Sequence, residues 1–193
     1  MSVSRMAFTA LVFSLSAILL SGCSSILAVG TAEPIQENPG KRTIGSIVDD
    51  EVIETKTLVN IRKTGDRLAQ AHIVVTSYNG IVLLAGQVAS APLREQAATV
   101  AAAIPKVQRV YNELTVSGAT SGMARSNDAW ITAKIKSKML AKSAIPANRI
   151  KVVTENGTVY LMGLLSKEEG DRAAELARKT AGVQKVVRIF EYI

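Results

Sequence analysis

Ile73-Val74-Val75-Thr76-Ser77-Tyr78-Asn79-Gly80-Ile81-Val82-Leu83-Leu84-Ala85-Gly86 recurs 77 residues later as Ile150-Lys151-Val152-Val153-Thr154-Glu155-Asn156-Gly157-Thr158-Val159-Tyr160-Leu161-Met162-Gly163. Each copy centres on an Asn-Gly pair between two apolar, β-branched runs. Both central residues of a type I′ turn need positive φ, so Asn-Gly in this setting predicts a tight hairpin. Strands therefore flank Asn79-Gly80 and Asn156-Gly157. The likeness continues outward. Val107-Gln108-Arg109-Val110 answers Val183-Gln184-Lys185-Val186 at an offset of 76, and upstream Thr55 and Leu58 align with Thr132 and Ile135. Such self-similarity marks two copies of one folding unit.

A helical period precedes each hairpin: Val48, Val52, Thr55 and Leu58 in the first unit, Ile131, Ile135 and Met139 in the second. A second helix follows, from Ser90 and from Ser166, where Ser166-Lys167-Glu168-Glu169 reads as a capping box. Leu93, Ala97, Val100 and Ile104 share one face of the first of these. A last strand spans 107–116 and 184–192. The order per unit is α-β-β-α-β. A helix between the hairpin and the last strand lets that strand run parallel to a hairpin strand. The expected class is thus α+β, with a mixed three-stranded sheet and two helices on one face in each unit. The expected boundaries are 46–116 and 127–193, joined by a linker over 117–126 that holds Gly118 and Gly122. Units of about 70 residues are marginal alone, so packing of one on the other is expected.

Residues 1–22 have the parts of an export signal: Arg5 as the basic start, an apolar run from Ala7 to Leu20, and small residues before the cut. That run is too short to span a bilayer. It leads through Leu20-Ser21-Gly22 into Cys23, the one cysteine of the chain. This is the pattern of a lipid-attachment site, in which the Cys23 thiol is alkylated and cleavage frees an amine for a further chain. Two or more chains make anchoring stable. Residues 23–45, with Glu33-Pro34 and Asn38-Pro39-Gly40, read as a tether that reaches ~75 Å when taut and averages ~25 Å as a coil. A single cysteine excludes an internal disulfide.

Charge is uneven. Residues 46–116 carry seven Lys/Arg and seven Asp/Glu, whereas 127–193 carry twelve and seven, a surplus of +5. On a wheel of the helix read from Asp128, Ile131, Ile135 and Met139 form a core stripe and Trp130 lies well off it. Ala133, Ser137, Leu140 and Ala141 surround Trp130, with Lys134 and Lys138 on one flank and Lys136 on the other. An apolar ridge edged by ammonium groups suits a helix lying in a membrane interface. Indole favours that boundary, and lysines favour an anionic surface.

Taken together, the α-β-β-α-β unit, its Asn-Gly hairpin, the strand ends Leu84-Ala85-Gly86 and Leu161-Met162-Gly163, and the closing strands resemble the BON domain. Two such domains behind a lipobox are similar to dual-BON outer-membrane lipoproteins. Ser126-Asn127-Asp128-Ala129-Trp130-Ile131-Thr132-Ala133-Lys134-Ile135-Lys136-Ser137 strengthens that similarity. The resemblance implies a non-enzymatic protein on the periplasmic side of the outer membrane. It would bind anionic phospholipid through the first helix of the second domain, support envelope integrity and gather at division sites. Ser24 and Ser25 after Cys23, in place of the Asp that retains lipoproteins at the inner membrane, imply the outer membrane by the same resemblance. The expected contacts for phosphatidylglycerol or cardiolipin are Trp130, Lys134, Ile135, Lys136, Lys138 and Leu140; Ile135 enters by the resemblance alone, since the wheel puts it in the core.

Other chemistry is not indicated. His72, the one histidine, has no cysteine or acidic cluster at metal-ligand spacing and reads as structural. No phosphate-binding glycine motif or nucleophile elbow occurs, so neither cofactor, metal nor catalytic site is expected. A basic pI of 9.7 could suit nucleic acid, but an exported, anchored chain meets lipid phosphates instead. The alternative is an adaptor, with the ridge or the neutral first unit recognising an envelope protein.

Overall fold

The computed structural model describes residues 40–193; the signal at 1–22, Cys23 and the tether up to residue 39 lie outside the described residues. The first unit runs α1 (Ile44–Lys63), α2 (Asp66–Ala69), β1 (His72–Tyr78), β2 (Ile81–Val88), α3 (Ala91–Ala102) and β3 (Arg109–Val116). The second runs α4 (Gly122–Leu140), a 3-10 turn (Ala147–Arg149), β4 (Ile150–Glu155), β5 (Thr158–Leu165), α5 (Lys167–Arg178) and β6 (Lys185–Tyr192). Each unit is the expected α-β-β-α-β with one addition, the single turn α2 or the 3-10 turn, both too short to give a periodic signal.

The hairpins form where Asn-Gly placed them. Asn79 and Gly80 take φ of 53° and 76°, and Asn156 and Gly157 take 48° and 73°. These values close two-residue loops in which Tyr78 faces Ile81 and Glu155 faces Thr158. The last strand lies parallel to the second in each sheet, giving orders β1-β2-β3 and β4-β5-β6. Local chemistry sets the helix starts. Thr43 caps α1 by accepting from the Ser46 N–H at 3.1 Å, and Ser166 and Glu169 form the expected capping box of α5.

Every residue of β2 is buried, because both faces of the first sheet are covered. Val82, Leu84 and Val88 point into a core with Ile53, Ile61, Leu68, Ala97 and Ala101 from the helices. On the other face Tyr78, Ile81, Leu83 and Ala85 meet Tyr160, Met162 and Ile189 of the second sheet. The second sheet is covered in turn by Ile131, Ile135, Met139, Ala173, Ala174 and Ala177 of α4 and α5. The two units thus stack as helices, sheet, sheet, helices. The pairing explains how units marginal in isolation gain a third core.

Polar bridges flank that central core. Lys151 Nζ donates to Glu54 Oε1 at 2.7 Å and to the Ser77 carbonyl at 3.0 Å. Tyr78 donates its hydroxyl to the Arg149 carbonyl at 2.9 Å. Glu155 accepts from Gln87 Nε2 at 2.9 Å and meets His72 Nε2 at 3.2 Å. His72 is thus part of the seam between units. Burial, with Glu113 and Glu155 nearby, pushes the Tyr160 phenol up to about 12, so it stays protonated.

Two readings of the sequence need correction. The core stripe of α1 is Asp50, Ile53, Thr57 and Ile61, whereas Val48, Val52 and Thr55 face outward and Leu58 is half-buried. The reason is Asp50. Its carboxylate must reach the first hairpin, which turns the helix by nearly half a turn, roughly 170°, from the orientation its valines suggest. Matched through their buried residues, Asp50, Ile53, Thr57 and Ile61 correspond to Asp128, Ile131, Ile135 and Met139, so Val52 occupies the position of Trp130. The second correction is to the linker over 117–126: residues 122–126 are helical. Ser121 caps α4 by accepting from the Ala124 N–H at 3.2 Å, so the helix begins at Gly122, six residues before the expected Asp128 start.

Candidate functional site

The helix α4 is fixed on three sides before its outer face is considered. Asp128, 4% exposed, accepts from the Asn156 N–H at 2.7 Å and the Gly157 N–H at 2.9 Å, which ties the start of the helix to the second hairpin. Ile131, Ile135 and Met139 are fully buried against the second sheet. Lys138 Nζ donates to Thr180 Oγ1 at 3.2 Å, joining the helix to the segment after α5. What remains points away from the sheet.

That outer face carries Trp130, 55% exposed, and Leu140, 73% exposed. The Lys134 ammonium stands 4.2 Å from the centre of the Trp130 ring. This cation–π contact holds the indole against the helix with its far edge free. Lys136 is exposed on the other flank and, with Leu140, borders a groove of about 190 Å³ floored by Met139, Ile150 and Val152. Trp130, Lys136 and Leu140 are therefore exposed on this outer face, with half-buried Lys134 packed on the indole and Lys138 at the edge, partly occupied by Thr180.

Ile135 is not part of that face. It is 0% exposed within the core under α4, as the 3.6-residue period dictates for a residue one turn from Ile131. The expectation that it touches lipid is corrected accordingly. Conversely, the reading that began α4 at Asp128 missed Met123, which is 85% exposed. Seven residues before Trp130, it falls within about 20° of it on the helix and extends the apolar strip by two turns. Ser121, three residues before Ala124, was the available capping signal.

Among the described residues no three metal-ligating side chains gather, and no helix is long and apolar enough to cross a membrane. A cleft at the seam, lined by His72, Val74, Arg125, Asp128, Ala129, Thr132, Thr154 and Glu155, encloses about 330 Å³. Its carboxylates are already engaged, Asp128 by the hairpin and Glu155 by Gln87 and His72.

The duplicated α-β-β-α-β unit can be compared with known proteins directly. The family model described as BON domain matches twice, over residues 49–118 and 127–192. The chain belongs to the BON-domain family. It is 37% identical over 176 residues to outer membrane lipoprotein DolP of Haemophilus influenzae, covering 91% of each chain. It is 43% identical over 153 residues to the 21 kDa hemolysin of Actinobacillus pleuropneumoniae, covering 79% of this chain and 78% of that one. Osmotically-inducible protein Y of Escherichia coli is 30% identical over 171 residues, with 84% and 85% covered. The tandem BON reading of the sequence and the α+β class agree with these matches.

Proposed function

We propose that this chain is a non-enzymatic lipoprotein of the outer membrane, anchored at Cys23 on the periplasmic face, whose second BON domain docks on anionic phospholipid through the outer face of α4. Similarity to DolP over 91% of both chains supports the membrane and the anchor. The observation that carries the lipid contact is the exposed Trp130, capped at 4.2 Å by Lys134, on a helix whose opposite face is locked in the core.

The chemistry is that of an interfacial helix. Trp130, Leu140 and Met123 sink into the boundary between headgroups and acyl chains, while Lys134 and Lys136 meet phosphate oxygens at the rim. Phosphatidylglycerol and cardiolipin both present such phosphates. Each lysine contributes ~1 kcal/mol near an anionic surface, so docking through this strip is weak by itself. The Cys23 anchor offsets that weakness by keeping the domain within the ~25 Å reach of a coiled tether. Docking in this manner would place the protein where envelope integrity is maintained, including division sites.

The test is co-sedimentation of residues 40–193 with vesicles of phosphatidylglycerol. Those residues retain the Thr43 cap, the 2.7 Å Arg42–Asp50 ion pair and all three cores. Trp130→Ala and Lys134→Glu should each lower the bound fraction, and binding equal to the parent refutes the reading. The alternative, an adaptor for envelope or cell-wall assembly proteins, is favoured by an apolar face on the other outer layer. Pull-downs that keep their partners after Trp130→Ala, with no vesicle binding, would support it.

A further inference from the structure

The turn of α1 that buries Asp50 leaves an apolar face with nothing upon it. Val48, Val52 and Val59 are 55%, 42% and 42% exposed, and with Thr55 they line a face that includes a shallow groove of about 400 Å³. Their spacing is four, three, four, the alternation of a coiled-coil seam. In heptad terms Val52 and Val59 take the a positions and Val48 and Thr55 the d positions. Glu51 then falls at g and Lys56 at e.

We propose that α1 pairs with α1 of a second copy of this chain as a short parallel two-stranded coiled coil. Three observations select a second copy over other occupants. First, Val52 and Val59 at a are the β-branched residues that two-stranded parallel coils favour at that position. Second, a g residue meets the e′ residue five positions on, so Glu51 of each copy faces Lys56 of the other, twice over. Asp49 and Glu54 are held by Lys106 and Lys151, whereas neither Glu51 nor Lys56 has an ion-pair partner among the described residues. A rim of both signs is also unlike that of α4, whose flanks are lysine, and an anionic bilayer would repel its carboxylates. Third, a parallel pair puts both helix starts at one end. Each helix starts just after its tether, so two copies anchored in one leaflet present α1 in that sense. This last point rests on the Cys23 anchor proposed above.

A seam of 20 residues is under three heptads, so pairing in dilute solution is weak. Confinement to a membrane raises the effective concentration of the partner. The experiment therefore uses the full chain in native membranes with Val52→Cys, oxidised and run without reductant. Wild type, which retains Cys23, gives the background, and Asn148→Cys, exposed on the second unit, gives the collision level.

Val52→Cys should form disulfide-linked dimer several-fold above both controls. Adding Glu51→Lys or Lys56→Glu alone should lower the yield about tenfold, since two exposed attractions become repulsions, and the double swap should restore it. Dimer no greater than with Asn148→Cys, or a double swap that fails to rescue, overturns the pairing. Membrane fractionation of the same samples reports the anchor independently. If the chain is not recovered with membranes, sedimentation equilibrium of residues 40–193 decides: a monomer–dimer equilibrium weakened by Glu51→Lys supports pairing, and a monomer at every concentration refutes it.

Discussion

Replacing Asp50 by alanine removes a carboxylate that organises the first hairpin from inside the fold. Asp50 is 1% exposed. Its Oδ1 accepts from the Ser77 hydroxyl at 2.6 Å and the Gly80 N–H at 3.0 Å, and its Oδ2 from the Asn79 N–H at 2.8 Å and the Arg42 guanidinium at 2.7 Å. The Ser77 and Gly80 donors are buried, and each costs about 1–3 kcal/mol when orphaned. The other two reach solvent and rehydrate cheaply. Asp50→Ala should therefore destabilise residues 40–193 by about 3 kcal/mol, a fall of about 6–12 °C in Tm for a domain of this size. Asp50→Asn keeps one acceptor oxygen and should fall by less. Burial pushes the Asp50 carboxyl up, but the bonds from Gly80, Ser77, Asn79 and Arg42 outweigh it and hold it below the ordinary 3.8. A depressed folded-state value stabilises above the unfolded one and is lost as pH falls through the folded one. The Tm gap between parent and Asp50→Ala should be constant from about pH 5 to 7 and narrow below 3.8. Thermal melts by circular dichroism read both quantities. A Tm within about 2 °C of the parent at pH 7, or a gap as wide under strong acid, would refute the reasoning.

Trp130 is the one tryptophan, so its emission should shift to the blue with phosphatidylglycerol vesicles, stay unchanged with phosphatidylcholine, and lose the shift as salt rises; an equal shift with both lipids argues against the lysine rim. Gly86→Ala should prevent stable folding, because Gly86 has φ of +119° and an added Cβ would lie 2.0 Å from the His72 carbonyl oxygen, and a Tm within about 2 °C of the parent contradicts this. Glu155→Ala strips Gln87 and His72 of their partner across the seam and should cost about 1–3 kcal/mol, seen as a lower urea midpoint. Pairing through α1 sets the two Trp130 helices on the far sides of the pair, facing apart, so a flat bilayer takes one at a time. Phosphatidylglycerol vesicles should then lower the disulfide yield of Val52→Cys in residues 40–193, and Trp130→Ala should remove that effect.

Local chemistry was legible throughout the sequence. Asn-Gly at 79–80 and 156–157 specified the turns through backbone sterics, Ser166 and Glu169 specified a cap, and repetition fixed the order of elements in both units. Trp130 could be placed on the outer face of α4 because Ile131, Ile135 and Met139 form one unambiguous stripe. The same reasoning puts Ile135 inside, against the role the resemblance gave it. Met123 escaped because Gly122 and Ser126 read as linker, while the cap that admits them is one serine hydroxyl on one N–H.

The sequence by itself determined two α-β-β-α-β units and the face that the second unit turns outward. Only the tertiary structure decided which face of α1 is buried. That helix has aliphatic residues on two sides, and the side that wins carries Asp50 and Thr57, which hydropathy assigns to solvent. Asp50 is buried because two backbone N–H groups, 29 and 30 residues away, require an acceptor, and no local pattern records a partner at that distance. The stacking of the sheets through Tyr78, Leu83, Tyr160 and Met162 is likewise set by long-range contact. So is the outward turn of Val48, Val52 and Val59.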